Sequence, residues 1–250
     1  MNEKLVLDSL KKIKFKEDYL LIHSDLYPFI GKKFKIEIFA NKLIEILGKD
    51  KTLIFPTFNF TFEHPKKLFW SASKSRGTSG ILSEHFRTKN SIRSINPYHS
   101  VCVYGKNKLK VPSGIMKTSF GKKTVWEWMC KNNNVGNLAI GLGISGGGTF
   151  CHYIELISKV NYRHYVKKNF VIEMDKNQKK NITFNYFERK KMIGNKFVKN
   201  NWKRCESDLI RNKILFRETT NRILLFSYCN LSDACKFLKG KIKKNKNYFL

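Results

Sequence analysis

Short apolar runs alternate with amphipathic segments along the first two thirds of the chain. Runs such as 19–22 and 52–55 are almost wholly apolar and end at polar residues or proline, as strands buried on both faces of a sheet do. Between them, apolar residues recur every three or four positions, which is the spacing of one helix face. The pattern predicts strands at 19–22, 52–55, 100–104 and 137–140, and helices at 5–13, 38–47, 81–87, 125–130 and 149–159.

Strands that alternate with helices favour an α/β fold, a layered sandwich around a central sheet that is largely parallel or mixed. After residue 166 the pattern is less regular, because aromatic and apolar residues are mixed with many Lys and Asn. This C-terminal third predicts short strands at 170–174 and 181–184, a helix starting near 207, a strand at 223–226, a helix at 232–238 capped by Ser232-Asp233, and a frayed, solvated charge run from 239. We expect one domain over 1–250, with a core at 1–166 and accessory strands and a C-terminal helix at 167–250.

The chain is strongly basic, since its 250 residues include 49 Lys and Arg against 19 Asp and Glu, a formal net charge of +30. Only nine of the basic residues are arginine, whereas proteins that read nucleic acid favour the planar guanidinium group. Asn, Ile and Phe are abundant as well, so we attribute the lysines first to the codon bias of an A/T-rich genome. We expect affinity for anionic ligands but no specific recognition of nucleic acid, and a non-catalytic polyanion-binding module stays open as an alternative.

Targeting, membrane and metal signals are not evident in the sequence. The N-terminal stretch interrupts its apolar residues with Lys and Glu, unlike a signal peptide, and no apolar run approaches the roughly 20 residues that span a bilayer. The six cysteines form no CxxC pair and no zinc-ligand spacing, so we expect reduced thiols. These observations predict a cytoplasmic protein that acts without a membrane or a metal. The sequence leaves its oligomeric state, monomer or homodimer, open.

A glycine-rich turn and a His-x-x-Glu pair follow each other in the sequence. The turn, Gly141 to Gly148, follows a strand and opens a helix, where backbone N–H groups can approach an anion or an oxyanion. A tight structural connection would have the same pattern. His152 and Glu155 lie at i and i+3 on one helix face, so the carboxylate can hold the imidazole in one tautomer for general-base chemistry. A satisfied surface pair would also have this spacing.

Cys151 adjoins His152 in sequence and raises the alternative of a Cys–His acyltransferase. Successive residues of a helix point about 100° apart, which does not suit a nucleophile and its base. We therefore expect Cys151 to pack in the core, and keep the covalent mechanism as a second enzymatic alternative.

Two further histidines lie at the ends of predicted strands. His99 follows the turn fixed by Pro97, and a buried histidine bonded to backbone is the plain alternative for it. His23 begins the polar segment His23-Ser24-Asp25 at the carboxyl end of the first strand, where binding loops begin in α/β folds. Ser24 or Asp25 could instead cap the next segment.

Taken in order, these clusters resemble the aminoglycoside N3-acetyltransferase family, also called the antibiotic acetyltransferases. The resemblance covers about residues 20–165. Its motifs are Ile22-His-Ser-Asp-Leu26 with Gly31, Phe55-Pro-Thr-Phe58, Thr78-Ser-Gly-Ile-Leu82 with Phe86-Arg87, Arg93-Ser94 with Pro97-Tyr-His99-Ser100-Val101, Gly141-Leu-Gly143, and Thr149 with His152-Tyr-Ile-Glu155, followed by Tyr162-Arg163.

The resemblance implies acetyl transfer from acetyl-CoA to a primary amine on a sugar-like acceptor, without a metal. His152 would be the general base, Glu155 would orient it, and His99 would lie across the acceptor as an orienting group or relay. Backbone N–H groups near residues 78–80 or in the turn 143–148 would bind the oxyanion. The implied binding residues are His23, Ser24, Gly31, Thr78, Ser79 and Gly80 for acetyl-CoA, and Asn59, Arg93, Tyr98, Tyr162 and Arg163 for the acceptor.

The charge of the chain bears on which amine is acetylated. Aminoglycosides are polycations, which a chain of net charge +30 repels at long range. Proteins that resemble this family acetylate nucleotide-linked amino sugars for surface polysaccharides such as O-antigen, and such an anionic acceptor fits better. The hypothesis is N-acetylation of a nucleotide-diphosphate-linked amino-deoxysugar by direct attack, with an aminoglycoside as the alternative acceptor.

Overall fold

Helices and strands alternate through the part of the chain that the computed structural model describes, residues 3–60, 68–174 and 178–250. The helices are α1 (Glu3–Leu10), α2 (Ile36–Leu47), α3 (Ile81–Arg87), α4 (Val125–Lys131), α5 (Ile144–Gly147), α6 (Phe150–Ile157), α7 (Trp202–Arg211) and α8 (Leu231–Lys244). The strands are β1 (Tyr19–Ser24), β2 (Thr52–Pro56), β3 (Leu68–Ser71), β4 (Ile92–Arg93), β5 (Val101–Gly105), β6 (Val135–Ile140), β7 (Arg163–Glu173), β8 (Lys179–Arg189), β9 (Met192–Ile193), β10 (Lys196–Phe197), β11 (Phe216–Thr220) and β12 (Ile223–Asn230).

In the described part of the chain, seven strands form the central sheet, in the order β11-β12-β6-β1-β2-β5-β4. Strand β1 runs parallel to both β6 and β2, and the remaining pairs are antiparallel. Every residue of β2 and β6 is buried, because helices cover both faces of the sheet. The predicted α/β fold with a mixed sheet is confirmed, and its parallel pairs are those of the three central strands.

Alternation along β1 divides the core between the two faces of the sheet. Leu21 packs on the side that holds Trp126 and Phe150 of α4 and α6, whereas Leu20 and Ile22 point to the side of α1, α2 and α3. All five of these side chains are fully buried, and each contributes about 1.5–3 kcal/mol through the removal of apolar surface from water. The sheet is therefore held from both faces.

A second sheet, of three strands within the same described residues, has the order β3-β7-β8. The sequence pattern predicts short strands here, and this prediction is wrong: β7 and β8 are 11 residues long and pair antiparallel over their whole length. Exposed residues such as Asn169 and Asn181 alternate with buried ones such as Phe170, Ile172 and Phe184. The polar residues that make the segment look irregular thus form the solvent face of a long hairpin.

The C-terminal segment is ordered by its apolar residues. Helix α8 continues to Lys244, and the side chains of Ile242 and Phe249 are fully buried in the main core, so the prediction of a frayed charge run is wrong. Its N-terminal cap is the Asn230 side chain, which accepts a hydrogen bond from the Asp233 amide at 3.2 Å. The predicted cap at Ser232-Asp233 is therefore two residues late. Strand β12 precedes this helix and joins the central sheet beside β6.

Neither a membrane-spanning helix nor a disulfide is found among the described residues. None of the helices in these ranges combines the length and the apolar character needed to cross a bilayer. All six cysteines lie within the described ranges, where each is buried and free.

Candidate active site

A cleft of about 420 Å³ lies at the carboxyl end of the parallel strands β1 and β6. The glycine-rich turn that follows β6 forms one wall, and the end of β8 and the start of α7 form the other. Ligands gather at this edge of the sheet in α/β proteins, because the loops there diverge. The lining residues are Phe60, His99, Ile144, Ser145, Gly146, Gly148, Thr149, His152, Arg163, Tyr186, Phe187, Glu188, Arg189, Asn200 and Trp202.

His152, Glu155 and Arg163 form a compact charged triplet in the wall of the cleft. His152 Nδ1 lies 2.7 Å from Glu155 Oε2, because α6 places residues i and i+3 on one face. Arg163 Nε lies 2.6 Å from the same oxygen, and Arg163 Nη2 lies 3.0 Å from His152 Nδ1. With Glu155 ionised, Nδ1 keeps its proton and donates a hydrogen bond to the carboxylate, so Nε2 carries the lone pair. In this tautomer the contact between Nδ1 and Arg163 Nη2 is not a hydrogen bond, because both groups are donors.

Burial and charge decide the protonation states of this triplet. The Glu155 side chain is fully buried, whereas 23% of the His152 side chain is exposed to the cleft. Burial, reinforced by the nearby Arg163, lowers the pKa of His152 below its usual 6.5. Burial alone would raise the pKa of Glu155, but His152 and Arg163 outweigh it and hold that pKa below its usual value. The resting site therefore contains a neutral imidazole beside an ionised carboxylate.

His99 reaches the same cleft and lies among aromatic rings. Its ring centroid lies 4.7 Å from that of Phe120 and 5.3 Å from that of Phe58. Among the residues that the structure describes, no group hydrogen-bonds its buried Nδ1. Burial lowers the pKa of His99 well below its usual range, and a positive charge on His152 or Arg163 lowers it further. His99 is thus a second neutral imidazole on the cleft wall, suited to accept or relay a hydrogen bond from a ligand.

The residues predicted to bind acetyl-CoA fall into separate places. His23 and Ser24 lie within β1 rather than after it, and burial lowers the pKa of His23 to about 3. Ser24 lies beside Gly80, since a Cβ at Gly80 would be 3.2 Å from the Ser24 carbonyl oxygen. Gly31 is exposed, and a Cβ built on it would meet nothing within 4 Å among the described residues.

Thr78 and Ser79 hold the segment before α3 against Phe58. The Thr78 amide donates to the Phe58 carbonyl at 2.7 Å, and the Phe58 amide donates to Ser79 Oγ at 2.9 Å. Phe58 in turn contacts the ring of His99. The structure therefore connects residues 78–80 to the cleft through an aromatic side chain, and none of the three lines the cleft itself.

Of the residues predicted to bind the acceptor, the structure brings only Arg163 into the cleft lining. Arg93 is buried under Trp70 and donates to the Thr57 carbonyl at 2.7 Å, as well as to other backbone oxygens. Tyr98 stacks behind the lining residue Tyr186, with ring centroids 4.1 Å apart.

Asn59 and Tyr162, the other two, are both buried away from the cleft surface. The Asn59 side chain donates to the Arg76 carbonyl at 3.3 Å. Burial raises the pKa of the Tyr162 hydroxyl, and the neighbouring carboxylate of Glu155 raises it further. Tyr162 therefore stays protonated beside Glu155.

The glycine turn holds an internal carboxylate. Glu206 on α7 accepts a hydrogen bond from the Ile144 amide at 2.9 Å and pairs with Arg217 at 2.9 Å. A Cβ at Gly143 would overlap this carboxylate, although the φ of Gly143, −95°, is open to any residue. The Glu206 carboxylate thus explains why position 143 is a glycine. It also binds the Ile144 amide, one of the backbone amides predicted as oxyanion donors.

Several lining residues come from segments that carried no motif. Arg189, Asn200 and Trp202 belong to the Lys- and Asn-rich stretch after residue 166, and the Trp202 ring lies 5.9 Å from that of His152. Asn200 donates to Glu155 Oε1 at 3.5 Å. Their only signal in the sequence is an isolated tryptophan in a polar segment, which does not indicate a partner.

Cys151 does not reach the cleft. Its side chain is fully buried in the main core. Burial raises the pKa of the Cys151 thiol well above its usual range, and the contact with Cys205 raises it further. A neutral buried thiol is inert, so the structure disfavours the covalent alternative.

A metal site is not found in the ranges 3–60, 68–174 and 178–250, where no group of three or more His, Cys, Asp or Glu side chains could hold an ion. The cleft instead contains the imidazole of His152, which Glu155 orients, and the neutral imidazole of His99. Neutral imidazoles of this kind are the groups that general acid–base chemistry uses.

Comparison with known proteins identifies the class of enzyme. Residues 21–238 match the sequence profile of the family described as aminoglycoside 3-N-acetyltransferase. The chain belongs to this family, and it is an N-acetyltransferase. The resemblance inferred from the motifs is thereby confirmed. No curated protein sequence matches the chain.

Solved structures share the fold over nearly the whole chain. The YokD protein from Bacillus subtilis has a TM-score of 0.76 at 15% identity, covering 98% of this chain and 100% of its own. Aminoglycoside acetyltransferase AAC(3)-Xa has a TM-score of 0.77 at 13% identity, covering 98% and 93%. AAC-IIIb, solved as a binary complex with CoASH, has a TM-score of 0.77 at 12% identity, covering 98% and 97%.

Proposed function

We propose that the protein transfers the acetyl group of acetyl-CoA directly to the primary amine of a nucleotide-diphosphate-linked amino-deoxysugar. The observation that carries the chemistry is the contact between His152 Nδ1 and the buried Glu155 carboxylate. The structure of AAC-IIIb with CoASH, which shares the fold, supports acetyl-CoA as the donor. When bound, acetyl-CoA supplies an activated thioester carbonyl.

His152 removes the proton that blocks the reaction. A sugar amine is largely an ammonium at neutral pH, and its nitrogen has no lone pair until a proton leaves. The Nε2 lone pair of His152 accepts that proton, and the amine nitrogen forms a bond to the thioester carbon. The carbon–sulfur bond then breaks, the nitrogen loses its second proton to solvent, and the thiolate of CoA leaves and takes up a proton from the His152 imidazolium. General-base assistance of this kind accelerates reactions by about 10²–10⁴.

Glu155 and Arg163 set the strength of the base. The Glu155 carboxylate stabilises the imidazolium that forms on His152, whereas Arg163 opposes it and keeps the resting imidazole neutral. Donors for the oxyanion come from backbone amides. Because the Ile144 amide is bound to Glu206 and residues 78–80 do not line the cleft, we assign this role to later amides of the glycine turn.

The charge of the cleft supports an anionic acceptor. Of the described residues that line it, Glu188 is the one carboxylate, against the two arginines Arg163 and Arg189. A polycationic drug with several ammonium groups needs more acidic partners than this. The net charge of +30 adds an attractive field for phosphate groups at long range.

An aminoglycoside is the second candidate acceptor, because the matching family is described by that activity. The two candidates are separated by kcat/KM for one amino-deoxysugar measured with and without its nucleoside diphosphate. We expect kcat/KM to fall at least tenfold when the diphosphate is removed. Equal values for the two forms, or turnover of kanamycin-type drugs alone, would overturn the assignment of an anionic acceptor.

A further inference from the structure

The rim of the cleft between β8 and α7 is strongly basic. Residues 189–204 contain seven Lys or Arg and no Asp or Glu. Three residues of this segment, Arg189, Asn200 and Trp202, line the cleft. Both ends of this segment line the cleft, and all of its charged side chains are positive. The segment therefore creates a local positive potential beside His152, in addition to the potential of the rest of the surface.

Arg189 differs from Arg163 in its surroundings. Arg163 is neutralised by the buried carboxylate of Glu155 at 2.6 Å. Arg189 is exposed at the end of β8, and no carboxylate of the described residues lies within 4 Å of its guanidinium. Its charge also reaches the base, since it lowers the pKa of His152. Arg189 is thus an unneutralised cation close to the reacting centre.

Asn200 holds Arg189 in place. Its Oδ1 accepts a hydrogen bond from Arg189 Nη1 at 2.5 Å, and its Nδ2 lies 3.5 Å from both Glu155 Oε1 and the Phe249 carbonyl oxygen. One side chain therefore fixes the guanidinium relative to the His152–Glu155 pair. The remaining N–H groups of the guanidinium form a planar fork that matches phosphate oxygens.

We propose that Arg189, held by Asn200, is a diphosphate-binding subsite that takes the nucleoside diphosphate of the acceptor and places the sugar amine at His152. This inference rests on the proposed function for the identity of the acceptor. The chemistry of the subsite, recognition of a diphosphate, is shared with CoA, which also carries one. Its test must therefore distinguish the two sources.

UDP is the probe, and its binding is measured by titration calorimetry on the full chain saturated with CoA. We expect UDP to bind the CoA-saturated protein, and Arg189→Gln to weaken that binding about tenfold or more, since one charge-assisted hydrogen-bonding partner is lost. Arg189→Lys keeps the charge but not the fork, and should lie between the two. Arg211→Gln removes the same charge from an exposed arginine paired with Asp208, and should leave UDP binding unchanged.

Three results would overturn the subsite. UDP could fail to bind once CoA is present, Arg189→Gln could bind UDP as well as the wild-type protein, or Arg189→Gln could weaken CoA instead of UDP. A thermal melt of each variant checks that it folds, and Arg189→Lys carries the test if Arg189→Gln does not. Failure of the proposed function gives a different pattern, in which UDP binding depends on Arg189 but no nucleotide-linked amino sugar is acetylated.

Discussion

Replacing Glu155 by glutamine removes the negative charge between His152 and Arg163 while nearly conserving the size of the side chain. The carboxylate oxygen that contacts both partners lies 2.7 Å from His152 Nδ1 and 2.6 Å from Arg163 Nε. A glutamine amide can accept from one of them only with its oxygen. In either orientation the imidazolium that forms during the reaction then lies beside Arg163 without a counter-charge.

The size of the effect follows from these contacts. Two unit charges about 4 Å apart attract by about 4 kcal/mol at an effective dielectric constant of about 20. Loss of most of this stabilisation of the imidazolium lowers kcat by about 10²–10³-fold. Breaking the buried pair with Arg163, whose side chain is 8% exposed, costs about 3–5 kcal/mol of folding free energy. For a chain of this size that lowers Tm by roughly 10 °C.

The assay is release of the CoA thiol, followed from pH 5 to 8 with an acceptor at saturation. Burial holds the pKa of His152 below 6.5. The midpoint of the acid limb, where the wild-type rate declines as His152 is protonated, therefore lies below pH 6.5. Removing a negative charge lowers this pKa further, so the limb of Glu155→Gln moves to still lower pH.

Two matched variants separate catalysis from stability. Glu37→Gln changes a surface carboxylate paired with Lys89 at 3.3 Å, and should alter neither kcat nor Tm. The double variant Glu155→Gln with Arg163→Gln should recover part of the Tm but not the rate. A Glu155→Gln protein with kcat within threefold of wild type and an unmoved acid limb would refute the assigned role of Glu155.

Three other predictions test the rest of the site. His23 has a pKa of about 3 in the folded chain because it is buried, so only the unfolded chain takes up a proton as the pH falls below about 6.5. Protonation of His23 in the unfolded chain lowers the free energy of unfolding by about 2 kcal/mol at pH 5. Urea unfolding measures the free energy of unfolding at pH 7 and at pH 5. Its decrease between these pH values should be about 2 kcal/mol smaller for His23→Phe than for wild type, and an equal decrease in both proteins would contradict this. Gly143→Ala should lower stability by about 1–3 kcal/mol because it overlaps Glu206; a double-mutant cycle with Glu206→Ala should remove at least half of that loss, and strict additivity would rule the overlap out. Cys151→Ala should keep kcat within threefold with intersecting initial-rate lines, whereas parallel lines and loss of activity would indicate a covalent acyl-enzyme.

The parts of the fold that follow from local pattern could be predicted from the sequence. Helix α3 has the predicted bounds, and β1 and β2 begin at the predicted residues, because buried strands and amphipathic helices leave different periods. The His152–Glu155 contact could be foreseen as well, since the i, i+3 spacing of a helix determines it. The full length of the β7–β8 hairpin could not, because the adjacent lysines Lys167-Lys168 and Lys179-Lys180 interrupt the alternation of polar and buried residues.

The far wall of the cleft depends on contacts between distant segments. Glu206 lies 62 residues after Ile144 and accepts a hydrogen bond from the Ile144 amide. No local sequence pattern connects the two residues. Arg93 shows the opposite case, since its place in a motif suggested a ligand-binding residue. Its guanidinium instead binds backbone carbonyls such as that of Thr57. Tertiary packing decides which side-chain donors bind the protein's own backbone and which remain available to a ligand.

Acetyl transfer that depends on His152 is tested most directly by one thiol-release assay with acetyl-CoA. Wild type and His152→Ala are each measured with nucleotide-linked amino-deoxysugars and with kanamycin-type aminoglycosides. We predict turnover of the nucleotide-linked sugars by the wild-type protein and a loss of about 10²–10⁴-fold in the variant. Turnover by His152→Ala within threefold of wild type would contradict the assignment of the base, and no turnover with any acceptor would contradict the proposed reaction.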